Sequence, residues 1–143
     1  MPARAAPPPQ RARRTRRRAA LAIVLNPAFT IPGYWFATGA AALWGAALGR
    51  GRLRRRGGLL VADRLPGWAF GRGGTTVGGV FLTSRTVDDR VLAHERVHQA
   101  QWRRFGLAFI PLYLAAGRDP LRNRFEIEAG LADGGYLPRS PTS

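Results

Sequence analysis

The chain has 143 residues and a formal net charge of +15, with 23 basic residues, all of them arginine, against 8 acidic ones. It contains no cysteine, which excludes a disulfide framework and any thiolate metal site. The length suits one small domain with appendages.

The charge is unevenly spread. Seven arginines fall within residues 4–18 and five within residues 50–56. Abundant Ala, Gly, Pro and Arg together are also what GC-rich coding produces, so arginine content alone assigns no partner.

Residues 1–18 combine proline and arginine with almost no large apolar side chain. Such a segment cannot bury enough surface to offset its ordering entropy, and it is expected to be a disordered basic tail. Residues 19–49 hold no charge over 31 positions. A membrane helix needs roughly 20 apolar residues, so an apolar membrane-associated or transmembrane segment is expected here. Tyr34, Trp35 and Trp44 are interfacial aromatics, and the small residues between Gly39 and Ala46 permit close helix packing. Pro27 and Pro32 interrupt the run, with Asn26-Pro27 read as a turn. A continuous helix is therefore expected from about Gly33 to Gly49. Arginine on both flanks leaves a single span, an interfacial hairpin and a secretory signal as the options, and arginines directly after a cleavage site argue against the last.

Residues 50–58 read as a basic linker, and residues 59–137 as the folded domain. Leu59–Ala62 and Thr75–Thr83 have strand character and predict a small antiparallel sheet, with Gly78-Gly79 marking a bulge or a close backbone approach. A helix is expected from about Val87 to Phe105, capped by Thr86 or Ser84 and stopped at Gly106. Leu107–Ala116 is a short apolar helix, buried or dipping into a membrane. A final helix is expected from Pro120 or Leu121 to Ala132, and residues 138–143 form a loose tail. The fold class is thus α+β.

His94 and His98 are the only histidines, and Glu95 follows the first. On a helix, positions four apart share one face, so two imidazoles can close on one ion. Neutral imidazole is a good zinc ligand, and an adjacent glutamate can take a proton from water at such a site. Val87, Val91, His94, His98, Gln101 or Trp102, and Phe105 lie on one stripe, so the histidines point into the domain. A third ligand must be a carboxylate. Glu126 and Glu128 are the only other glutamates; two residues apart, they point about 200° from each other and cannot both face the ion.

His94-Glu95-Arg96-Val97-His98, with Gln101 and then Asn123-Arg124-Phe125-Glu126-Ile127-Glu128-Ala129, resembles the gluzincin branch of the zinc metallopeptidases, above all its minimal and small membrane-associated forms. The resemblance covers roughly residues 72–136. It implies a zincin-like domain of a small sheet, the HExxH helix, a linking helix and a glutamate-bearing helix. It implies zinc held by His94, His98 and Glu126, with Glu95 as base, and Glu128 as the other choice of third ligand. In the CAAX-protease type, the ligand glutamate stands three residues before an alanine followed by aspartate; here Ala129 matches and Gly130 departs. Asp133 is then the candidate to orient a histidine. Tyr113, Tyr136, Arg118 or Arg124 would stabilise an oxyanion. The strand at 75–83 would bind a peptide substrate by edge addition. The expectation is a membrane-associated zinc metallopeptidase at the plasma membrane. The other function class is a catalytically silent zincin-like module whose arginine-rich face meets anionic membrane. Nucleic acid ranks lower, because no DNA- or RNA-binding motif accompanies the arginines.

Overall fold

The computed structural model describes residues 22–23, 25–49, 52–69 and 73–138. The expected tails over 1–18 and, but for Pro138, over 138–143 lie outside the described residues.

Helix α1 runs Pro27–Leu48, earlier than expected, and continues through Pro32. Asn26-Pro27 is its start rather than a separate turn: the Asn26 side chain accepts a hydrogen bond from Ala28 N at 2.9 Å, and proline's fixed φ suits the first helical turn. The expected transmembrane segment is not supported. Among the described residues, no helix is long and apolar enough to cross a membrane.

The sheet is mixed rather than antiparallel. Strands β1 (Arg54–Arg56), β2 (Leu59–Ala62), β3 (Gly74–Val77) and β4 (Val80–Thr83) lie in the order β1-β2-β4-β3. β1 pairs antiparallel with β2, β2 parallel with β4, and β3 antiparallel with β4. Part of the expected linker is therefore strand. Three successive arginines carry no hydrophobic alternation, yet Gly57 and Gly58, both at positive φ, fold them back onto β2. The expected single strand at 75–83 is a hairpin. Gly78 sits at φ 60°, which suits the first position of a two-residue turn.

Gly78 also has a packing role. A Cβ there would meet Thr38 N at 2.5 Å. The Thr38 hydroxyl accepts from Gly79 N at 2.9 Å and donates to Tyr34 O at 2.8 Å, fastening α1 to the hairpin.

The sheet lies between two helices, and its alternate residues face each. Ala62, Val80 and Leu82 pack with Ala41 of α1. Leu59, Val61 and Phe81 pack with Leu92 of helix α2, which runs Asp89–Phe105. Asp88 caps α2, accepting from Val91 N at 2.8 Å; its carboxylate takes the position expected for Thr86 or Ser84. Gly106 ends the helix as expected. A 3₁₀ turn over Gly106–Ala108 leads into helix α3 (Phe109–Ala115), of which Phe109 alone is buried. Helix α4 is shorter than expected, Arg124–Ala129. It starts at buried Asn123, whose amide donates to Gly117 O at 2.8 Å and whose Oδ1 accepts from Phe125 N at 3.0 Å. It stops at Gly130 rather than running to Ala132, because Gly130 adopts φ 95°. Phe125 and Phe109 then join Tyr34 and Trp102 in one aromatic cluster that fixes α4 against α2.

Candidate metal centre

Seven α2 residues are buried, and His94, Glu95 and His98 are among them. The histidines therefore turn inward as expected, with the glutamate beside them, while Val91 and Phe105 of the expected stripe are only half-buried. From α4, Glu126 enters the same space at 2% exposure. His94 Nε2 lies 3.1 Å from His98 Nε2 and 3.3 Å from Glu126 Oε2, and His98 Nε2 lies 3.5 Å from Glu126 Oε1. One ligand atom from each of the three residues falls within 4.8 Å of the others, close enough to hold a metal ion.

The surroundings aim these atoms. His94 Nδ1 pairs with the Gly130 carbonyl at 3.0 Å, and His98 Nδ1 with Gln101 Oε1 at 2.8 Å. Each ring thus spends its Nδ1–H on an acceptor and turns Nε2 to the common point, as metal-bound histidines do. Glu126 Oε2 is buried and has no hydrogen-bond partner. Such an orphan costs about 1–3 kcal/mol or more if left unmatched, and a cation would satisfy it. Donor chemistry, aim and the orphan oxygen all fit a metal.

Glu128 stands outside this cluster. It is exposed, and its Oε2 accepts from Gln101 Nε2 at 3.1 Å. Gln101 also donates to Phe125 O at 3.1 Å, so Glu128 and the α4 backbone together hold the side chain that orients His98. The expected orienting role of Asp133 is also corrected. His94 is held by the Gly130 carbonyl, which the positive φ of Gly130 turns toward the ring; backbone does what a carboxylate was expected to do. Gly134 packs so tightly that a Cβ would come 2.6 Å from His94 Cε1. Gln101, Gly130 and Gly134 were not assigned these roles from sequence. Gln101, three residues after His98, was the one legible signal.

Glu95 is buried beside the cluster, and its Oε2 accepts from Thr76 Oγ1 of β3 at 2.7 Å. Burial pushes its carboxyl above the usual range, against the opposing pull of Thr76 and the histidines. Burial acts the same way on Glu126, but the adjacent His94 and His98 rings and the Tyr113 hydroxyl overcome it and hold that carboxyl well below the usual range. Burial lowers the His94 pKa, while Glu126, Glu95 and the Gly130 carbonyl outweigh it and raise it. Tyr113 OH donates to Glu126 Oε1, and burial and that carboxylate raise the phenol's pKa.

A cleft of about 290 Å³ opens onto the cluster, walled by Val77, Trp102, Ile110 and Leu114. A second recess of about 130 Å³, with Arg85 and Thr86, shares Gly74, His94, Glu95 and Tyr136 with it. Tyr136 lines both, its ring 6.0 Å from that of His94. Arg118 and Arg124 do not line the cleft; Arg124 stacks over Phe125 at 4.5 Å. β3 is an edge strand beside α2, as substrate addition requires, though Trp102 Nε1 already donates to the Thr76 carbonyl at 2.9 Å.

Comparison with known proteins gave no matching family model, no matching curated protein and no matching solved structure.

If Gln101 orients His98, Gln101→Ala weakens metal binding by about 10–100-fold, the usual range for such partners, while the circular dichroism spectrum stays unchanged. Competition against a chromophoric chelator measures it. Unchanged affinity would remove Gln101 from the site.

Proposed function

We propose that the chain is a minimal zinc metallopeptidase of the gluzincin type. The observation that carries this reading is the meeting of His94, His98 and Glu126 at one point, with buried Glu95 beside them in a cleft bordered by an open sheet edge. Two imidazoles and one carboxylate are a donor set of catalytic zinc sites, which keep one position open. Zinc bound there would supply Lewis acidity toward water and the scissile carbonyl.

The chain's own residues would do the rest. Glu95 takes a proton from the attacking water as the new C–O bond forms. It then passes that proton to the amine nitrogen as the C–N bond breaks. Its raised pKa brings it nearer to neutrality, which suits a group that must both accept and donate. Thr76 fixes the Glu95 carboxylate through one oxygen. Tyr113 and Gln101 hold Glu126 and His98, and Tyr136 is the side chain we assign to the developing oxyanion. Gly74 on the β3 edge offers its backbone to an extended peptide, and the apolar wall of the cleft suits a large apolar side chain.

Incubating the zinc-loaded chain with a defined peptide mixture, followed by mass spectrometry, tests the proposal. New termini are expected with the wild type and none with Glu95→Gln. Identical products from both, or none from a wild type that holds zinc, would contradict it.

A further inference from the structure

Helix α1 carries no charged residue along its 22 positions. One side is sealed to the protein by Thr30, Gly33, Tyr34, Ala37, Ala41 and Gly45. The other bears Phe29, Ile31, Trp35, Phe36, Leu43 and Trp44, each more than half exposed. Isolated apolar residues on a surface are ordinary; six large ones on one helix are a binding face.

We infer that this face lies in the plane of an anionic membrane surface, with α1 parallel to the bilayer and the domain above it. Three observations select this occupant. First, charge brackets the helix. Seven arginines stand in residues 4–18 and five in residues 50–56, and no acidic residue precedes Asp63. Arg54 and Arg55 are exposed on β1, Arg56 beside them pairs with Asp89, and Arg103 lies over Tyr34 of α1 at 5.5 Å. Arginines flanking an apolar helix face attract anionic headgroups.

Second, the packing rules out an upright helix within lipid. The Thr38–Gly79 hydrogen bond and the contact of Gly45 with Ala62 and Leu82 fix one side of α1 to the sheet, so lipid can reach only the other. Third, the aromatic content fits an interface, where tryptophan is enriched. The apolar surface also continues toward the site. Leu107 packs on Gly33, and Leu107, Ile110 and Leu114 run on at i, i+3 and i+7, the last two at the cleft wall. The seating does not depend on peptidase activity.

The test uses the full chain and sedimentation with vesicles of equimolar phosphatidylglycerol and phosphatidylcholine, or of phosphatidylcholine alone. Binding to the anionic vesicles, weakened by salt, is expected. The double variant Trp35→Glu/Phe36→Glu, both positions exposed, should weaken it at least about tenfold while circular dichroism and metal content stay those of the wild type. Tryptophan fluorescence should be quenched by lipids brominated near the headgroup and not by lipids brominated at the chain ends. A chain that ignores both vesicles, or quenching from the bilayer centre, overturns the inference. So does a dimer in analytical ultracentrifugation that the double variant dissolves while vesicle binding persists.

Discussion

Glu95→Gln is expected to lower kcat for peptide hydrolysis by about 10²–10⁴-fold, the usual contribution of a general base, while metal content stays at the wild-type level. The side chain is buried next to the cluster but outside the three residues that can close on an ion. Glutamine keeps its volume and an oxygen that can still accept from Thr76 Oγ1, now at 2.7 Å from Glu95. It cannot carry the proton. Steady-state kinetics beside metal analysis separates the outcomes. Activity lost with metal retained supports a proton carrier. Metal and fold lost together would make Glu95 a structural group.

The second large effect separates two glutamates that sequence alone left as alternatives. Glu126→Gln removes the only carboxylate of the cluster, and metal affinity should fall beyond the roughly 10–100-fold seen for outer partners. Glu128→Gln disturbs only the Gln101 contact and should stay within that range. Chelator competition reads both. Equal losses, or the larger loss at Glu128, would overturn the ligand assignment.

This contrast marks where sequence was informative. The i,i+4 histidines, the inward stripe of their helix and its stop at Gly106 follow from periodicity and turn chemistry, and they stand in the fold. The choice of Glu126 rested on resemblance, because helical spacing said only that the two glutamates diverge. What decides it is tertiary: Phe125 inserts into the aromatic cluster, and the next residue is thereby aimed at the histidines.

Other features were hidden for physical reasons. The arginine strand lacks any hydrophobic alternation, and its pairing depends on the two positive-φ glycines behind it. The parallel pairing of β2 with β4 needs a crossover that strand propensity cannot report. The expected last helix ran through Gly130, yet that glycine stops α4 and supplies the carbonyl that orients His94. The uncharged run at 19–49 has the composition of a membrane span. Its described part instead buries one face against the sheet, a distinction composition does not make.

The central claim is that His94, His98 and Glu126 form a metal site, and metal analysis of the purified 143-residue chain tests it most directly. Wild-type protein equilibrated with zinc and desalted should carry one ion per chain, and His94→Ala handled identically should carry none. A metal-free wild type whose two histidines titrate independently, or equal metal in both proteins, would contradict it.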